Sequence, residues 1–408
     1  MTRDLLTGNA AAAWGARLAD VDYVPAYPIT PQTEIVETLA GWSAAGAVPA
    51  RVVTLDSEHA MLTAAGAAAA TGARVFTASS SQGLLYGMEM LYTVAGWRVP
   101  FVLVNVSRGV AAPITLEPDH DDVLAARDTG CLQIHTETCQ EVLDAILMAY
   151  RLAEHADVHL PAIVNLDGFT LSFTREPVDL PTPDAVRAFL PPYEPGALRL
   201  SASHASAQGV AVLGGSAYAF FRYQMHRAAE RALALHATVA DEFAAAFGRR
   251  YGVVEAHALD DAEHVLVMSN SSSTIGKAEV DRLRAAGERV GLLRLRLVRP
   301  FPHAEIARLL RGRRAVAVID QNLSIGKGGI LFAEVASALA GPGAPALVSV
   351  VGGLGGRRFH SEEFDRIVAA LHAAEGTGGS AEPILLYTEP EYRRMLDLLR
   401  IAGRSVEA

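Results

Sequence analysis

VDYVPAYPITPQT, Val21–Thr33, decides how the chain is read. A run of β-formers over Val21–Ala26 breaks at a turn holding Pro28, Thr30 and Pro31, and apolar residues then recur at helical spacing over Pro31–Leu39. The same statement repeats along the first 170 residues: strands are expected at Val52–Leu55, Val75–Ala78, Phe101–Val106 and Ala162–Leu166, with helices at Ala60–Thr71, Leu84–Ala95 and Gln140–His155. Strand and helix in alternation predict a parallel sheet covered on both faces, an α/β doubly wound domain. Ligands of such sheets sit at the carboxyl ends of the strands, so chemistry is to be sought in the turns that follow them.

Outward from this domain the pattern changes. Asp179–Leu200 carries Pro181, Pro183, Pro191, Pro192 and Pro195 without periodicity and reads as an extended linker. An amphipathic stretch over Tyr218–Tyr251 reads as a helical arm. A second alternation then sets strands at His264–Met268, Val290–Leu297, Ala315–Ile319 and Leu347–Val351, and helices at Lys277–Ala286, His303–Leu310 and Gly328–Leu339, with a last helix near Glu391–Arg400. The expected division is a first α/β domain over 1–178, a proline-rich linker and helical arm over 179–255, and a second α/β domain over 256–408.

Composition narrows the function. Half of the 408 residues are hydrophobic and a fifth are charged, which suits a globular protein of two or three domains. A formal charge of −10 without a Lys/Arg-rich run disfavours nucleic acid as a partner. No leader pattern and no span of eighteen apolar residues is found, so the expectation is a cytoplasmic protein off the membrane. Two cysteines, Cys131 and Cys139, are too few to ligate an iron–sulfur cluster, and both are expected to be buried free thiols.

Each strand-end turn holds candidates. Thr30 stands where a helix would start, with Pro31 as its first residue; capping is the ordinary reading, and position at a strand's carboxyl end adds a functional one. Glu58, in Asp56-Ser57-Glu58-His59-Ala60, either favours a helix dipole or is a buried acid; the charge-free run from Ala60 to Gly66 favours the second, since such a helix is expected to be buried all round. Ser79-Ser80-Ser81-Gln82-Gly83 is a small polar turn that lets a ligand approach backbone. Arg108, in Ser107-Arg108-Gly109, is either a solvated charge or a planar fork for a substrate carboxylate. Asp119-His120-Asp121-Asp122 is discounted as a metal site, because adjacent loop positions seldom converge on one ion. Gly326-Lys327-Gly328-Gly329 lacks the spacing of a phosphate loop.

Taken in order, YPITPQT (27–33), DSEHA (56–60), FTASSSQGL (76–84), SRGVAAPI (107–114), DHDD (119–122), RDTG (127–130), GLLRLRLVRPFP (291–302) and VGGLGGR (351–357) resemble the alpha subunits of the 2-oxoacid:ferredoxin oxidoreductases, the pyruvate synthase family. The resemblance spans nearly the whole chain. It implies a thiamine pyrimidine-binding first domain, a transketolase C-terminal-like second domain, and oxidative decarboxylation of a 2-oxoacid on thiamine diphosphate, with the acyl group usually passed to coenzyme A. Electrons would pass to iron–sulfur clusters and ferredoxin or a similar acceptor.

By the same resemblance, Glu58 matches the glutamate that hydrogen-bonds the pyrimidine ring nitrogen, and Thr30 and Arg108 match the residues that contact the substrate's oxo group and carboxylate. Tyr27, Pro28, Ile29, Ser81 and Gln82 would line the cofactor. A beta subunit would complete the thiamine site; Mg2+ and four-iron four-sulfur clusters would lie on partner chains of beta and gamma/delta type. This chain itself would hold no metal. Leu116-Glu117-Pro118 stands where many pyruvate enzymes have an aromatic residue and an asparagine, so a bulkier, aromatic, branched or dicarboxylic acid stays open beside pyruvate. Two other readings stay open: a non-catalytic scaffold paralogue, and a thiamine-dependent subunit of transketolase or dehydrogenase type.

Overall fold

The computed structural model describes residues 2–196, 199–203, 205–376 and 378–401. In chain order the elements are β1 Thr2–Thr7, α1 Gly8–Leu18, β2 Tyr23–Ala26, α2 Thr33–Ala44, β3 Arg51–Thr54, α3 Glu58–Ala70, β4 Phe76–Ser79, α4 Ser81–Tyr86, α5 Met88–Trp97 and β5 Val102–Ser107. There follow α6 Asp121–Ala125, β6 Leu132–His135, α7 Cys139–Ala153, β7 Ala162–Asp167, β8 Arg175–Leu180, α8 Pro183–Phe189 and α9 Gly215–Phe247. The last third holds β9 Val254–His257, β10 His264–Ser269, α10 Ser272–Ala285, β11 Val290–Leu295, β12 Leu297–Arg299, α11 His303–Leu310, β13 Ala315–Asp320, α12 Ile330–Leu339, β14 Ala346–Val351, α13 Ser361–Ala374, β15 Gly379–Leu385 and α14 Glu389–Ile401.

The fold is α/β with mainly parallel sheets, as expected. One sheet has the order β12-β6-β7-β5-β4, and a bridge between Tyr23 and Val75 sets the parallel pair β2-β3 beside β4. From the boundary between β2 and β4 the chain goes to β3 on one side and to β4 and β5 on the other, with β7 inserted between β5 and β6; such a boundary is where an open sheet leaves a crevice at its carboxyl edge. A second sheet, β15-β14-β13-β10-β11-β9, is parallel except for β9. Strands β5, β7, β10 and β13 are buried along their whole length, which explains their near-continuous apolar sequences.

Tertiary contacts alter several expected elements. The helix expected over Leu84–Ala95 is two, broken at Gly87, where a Cβ would lie 2.3 Å from Leu62 Cδ1. The run Val290–Leu297 is also two strands: after Leu295 the chain leaves the second sheet and β12 pairs antiparallel with β6 of the first. The stretch expected to be an extended linker holds α8, capped by Thr182 with Pro183 in its first turn, and the end of β8, which pairs with β1. Cys131 and Cys139 are free and buried. Among the described residues no helix is long and apolar enough to cross a membrane.

The two sheets are also joined by buried charge. Glu141 of α7 accepts from Arg294 of β11 and from Arg296 just beyond it, and all three side chains are withdrawn from solvent.

Candidate active site

Four carboxyl-edge turns of the first sheet converge. After β3, Ser57 caps α3 by accepting from Ala60 N, and Glu58 becomes the first helical residue. Its side chain is buried, and among the described residues its carboxylate has no hydrogen-bond partner. The backbone of Gly83 forms the wall against it: a Cβ there would stand 2.5 Å from Glu58 Oε1 and 2.7 Å from Ser79 Oγ. Ser79 Oγ is itself buried and unpartnered. A buried hydroxyl left unsatisfied is costly in a folded chain, while the Glu58 carboxylate keeps a small opening to the outside.

α3 is not buried all round. Met61, Leu62, Ala65, Gly66, Ala69 and Ala70 face the core, while Ala60, Thr63, Ala64 and Ala68 are half-buried and Ala67 is exposed. Its charge-free sequence therefore leaves an uncharged face at the surface beside the site.

The turn after β2 differs from the expected cap. Helix α2 begins at Thr33, and neither Thr30 nor Pro31 belongs to it; the Thr30–Pro31 peptide is cis and Thr30 is exposed. Tertiary hydrogen bonds hold the turn: Asn9 Nδ2 donates to Pro31 O at 2.8 Å and Gln32 Nε2 to Tyr27 O at 2.8 Å. Tyr27 and Ile29 are half-buried and Pro28 is exposed.

Arg108, after β5, is buried to 5% exposure and so is no solvated charge. Its Nε donates to Thr30 O at 2.8 Å, and its Nη1 lies 3.1 Å from Gln82 Oε1 and 3.2 Å from Gly109 O. These acceptors are neutral. Burial lowers the guanidinium pKa, with Asp122 opposing, and Nη2 has no partner among the described residues. A buried cation held by neutral oxygens with one arm free is built to receive an anion.

The remaining candidates join this frame. Ser81 Oγ donates within 2.7 Å of Gln82 Oε1, so Gln82 links the Ser81 turn to Arg108. Thr30, Arg108, Gln82 and Ser81 thus form one hydrogen-bonded chain, and Glu58 meets it through Gly83, the neighbour of Gln82.

Sequence reasoning missed the anchor beneath. Asp122 is fully buried; Oδ2 accepts from Ser81 N at 2.9 Å and Asn105 Nδ2 at 3.1 Å, and Oδ1 from Val123 N at 2.6 Å and from Ser107 Oγ. Burial nonetheless pushes its carboxyl pKa up. Ser81 has φ +47°, so this bond fixes a left-handed residue at the start of α4. Within Asp119-His120-Asp121-Asp122 the side chains diverge: His120 Nε2 pairs with Asp167 Oδ1 at 2.8 Å, and Asp121 Oδ1 accepts from Asn322 Nδ2 at 2.7 Å. The four point to different partners. Gly329 has a structural cause, since Asp320 caps α12 through Leu331 N at 2.7 Å and Phe332 N at 3.0 Å and leaves no space for a Cβ there.

Comparison with known proteins gives a consistent picture. Residues 14–241 match the family model described as pyruvate flavodoxin/ferredoxin oxidoreductase, thiamine diphosphate-binding, and residues 262–364 match that of pyruvate:ferredoxin oxidoreductase core domain II. The chain is 43% identical over 374 residues to pyruvate synthase subunit PorA of Methanocaldococcus jannaschii, covering 91% of this chain and 95% of that one. It is 40% identical over 359 residues to ketoisovalerate oxidoreductase subunit VorA of Pyrococcus horikoshii, covering 88% and 90%. A solved 2-oxoglutarate:ferredoxin oxidoreductase from Magnetococcus marinus shares the fold at a TM-score of 0.71 and 18% identity, over 90% of this chain and 65% of that one.

Proposed function

This chain belongs to the pyruvate flavodoxin/ferredoxin oxidoreductase family, as a PorA-like alpha subunit, and from that premise we propose that Glu58, Thr30 and Arg108 are the residues through which it acts. It is the alpha subunit of a thiamine diphosphate-dependent 2-oxoacid:ferredoxin oxidoreductase, an enzyme of the EC 1.2.7 type. Partner subunits and ferredoxin belong to that assembly.

The observation that carries the residue assignment is the unpaired carboxylate of Glu58 against Gly83, two residues from a serine fixed to the Arg108 frame. An aminopyrimidine fits that setting, because its ring nitrogen matches a carboxyl group that no other described residue bonds. When bound, thiamine diphosphate supplies the carbon nucleophile for the 2-oxo carbon and the electron sink for decarboxylation. Glu58 would hydrogen-bond the ring nitrogen through its free carboxyl group. Tyr27, Pro28, Ile29, Ser81 and Gln82 line the same edge. Arg108 takes the substrate carboxylate with its free arm, and the exposed Thr30 orients the 2-oxo group as a donor.

The chain offers an aminopyrimidine site, and the relatives it resembles are named as subunits of larger enzymes. We therefore assign the diphosphate and Mg2+ to a beta subunit, the four-iron four-sulfur clusters to beta and gamma/delta-type chains, and coenzyme A as the usual acyl acceptor. The substrate is a 2-oxoacid of the kind named for its relatives, pyruvate or ketoisovalerate. Two buried free thiols agree with a cytoplasmic setting.

The test is reduction of a low-potential dye by the native complex with a panel of 2-oxoacids, with and without thiamine diphosphate and coenzyme A. Thiamine-dependent reduction by one acid supports the reading and names the substrate. Failure of every acid, with cofactors present, would leave the scaffold reading in its place.

A further inference from the structure

The turn after β14 lies against the loop that follows Arg108. That loop doubles back: Gly109 N donates to Glu117 O at 3.2 Å, and Thr115 Cγ2 occupies the place where a Cβ of Gly109 would come within 2.3 Å. Beside it, Gly168 leaves room for Leu116 O and for Pro31 Cγ, each 3.1 Å from where its Cβ would stand, so the loop also borders the Thr30–Pro31 turn. The residues that form the substrate end of the site are thus mutual neighbours.

The second sheet holds the loop's other side. Gly356 N donates to Pro118 O at 3.1 Å, and a Cβ on Gly356 would lie 2.6 Å from Glu117 Cβ. Gln321 O accepts from His120 N at 2.9 Å, and Gln321 Nε2 donates to Gly353 O at 2.9 Å, which ties the ends of β13 and β14 to the same segment. Val110–Pro118 contains no Lys, Arg or His, and its Ile114 and Leu116 are exposed.

Resting on the function proposed above, we infer that Gly356 of the second α/β unit is a positioning residue for the substrate, acting through Glu117 on the loop that returns to Arg108, and that the loop admits 2-oxoacids with one carboxylate and an apolar substituent. The glycine is needed for two separable reasons. Its φ of +74° disfavours any side chain, and its close approach to Glu117 forbids a Cβ. Gly355 supplies the control: φ is +60°, yet a Cβ there would meet only Thr115 Cγ2, at an ordinary 3.6 Å.

The experiment compares Gly356→Ala, Gly355→Ala and the double variant Gly356→Ala/Glu117→Gly in the native complex. Gly356→Ala is expected to raise the 2-oxoacid KM about tenfold with a smaller change in kcat, and to shift the kcat/KM ratio between 2-oxoisovalerate and pyruvate. Gly355→Ala should do less, and removal of the Glu117 side chain should recover part of the loss. Backbone amide exchange over 109–118 should rise in Gly356→Ala and fall back in the double variant. Unchanged KM, ratio and exchange in Gly356→Ala would overturn the inference, as would equal effects of the two alanines or absence of rescue. A wild-type complex inert toward every 2-oxoacid would instead overturn the functional reading, and the exchange measurement would still decide whether Gly356 holds the loop. Better turnover of 2-oxoglutarate than of both monocarboxylic acids would refute the substrate class.

Discussion

A Cβ on Gly83 would stand 2.5 Å from Glu58 Oε1, so the backbone of one strand-end turn forms the wall that confines the carboxylate of another. Glu58 gains no partner from the described residues. What such a residue contributes is a hydrogen bond to whatever occupies the site.

Glu58→Gln keeps the size and loses the acid. Substrate-dependent dye reduction should be abolished while the complex still assembles, as judged by co-purification of its subunits. An unchanged rate would remove Glu58 from the chemistry.

Gly83→Ala tests the wall itself. The new methyl group would have to displace the Glu58 carboxylate or Ser79 Oγ, 2.7 Å away, both at the ends of small movable groups. The fold should survive with a Tm close to wild type, while the Kd for thiamine diphosphate, measured calorimetrically on the complex, rises about tenfold or more. An unchanged Kd would show that cofactor binds without using this wall.

Arg108→Ala removes a guanidinium whose Nη2 is free and whose Nε donates to Thr30 O at 2.8 Å. Loss of a charged hydrogen bond costs about 1.5–3 kcal/mol, so kcat/KM for the 2-oxoacid should fall roughly 10- to 150-fold. Arg108→Lys should recover only part of this, because the three donors of an ammonium sit on one nitrogen and cannot stand in for the separate Nε, Nη1 and Nη2 of the fork. Wild-type kinetics in the alanine variant would take Arg108 out of the substrate site.

Much of this was legible because the chain states its topology locally. β2, β3, β4, β5 and β7 fall within two residues of the expected strands, and the turns after them hold Thr30, Glu58, Ser81 and Arg108 in one connected arrangement. What periodicity could not show depends on distant partners. β12 leaves an apolar run to pair with β6, and Leu132–His135 is a four-residue strand buried throughout, Gln133 and His135 included. Thr30 and Pro31 imitate a capped helix start, but Asn9 and Gln32 hold them in a turn instead. Asp122 sits among acids that suggest a cation, and only the fold shows it accepting from Ser81, Asn105, Ser107 and Val123.

Charge at the junction of the sheets gives a stability prediction with a definite sign. Burial alone would raise the Glu141 carboxyl, but Arg294 and Arg296 outweigh it and hold the pKa at about 2, below its usual 4.5. A carboxylate depressed on folding stabilises fully above about pH 4.5 and loses that contribution as pH falls toward 2. Glu141→Gln removes the contribution at every pH and leaves the fully buried Arg294 with Glu137 at 3.5 Å and Glu255 at 3.1 Å. Breaking a buried pair costs about 3–5 kcal/mol, and the two remaining carboxylates put this one near the lower figure. Urea unfolding of wild type and variant should therefore differ most at pH 7, and the difference should shrink steadily below pH 4.5. A gap of constant size down to pH 2.5 would mean that the Glu141 charge does not hold the sheets together.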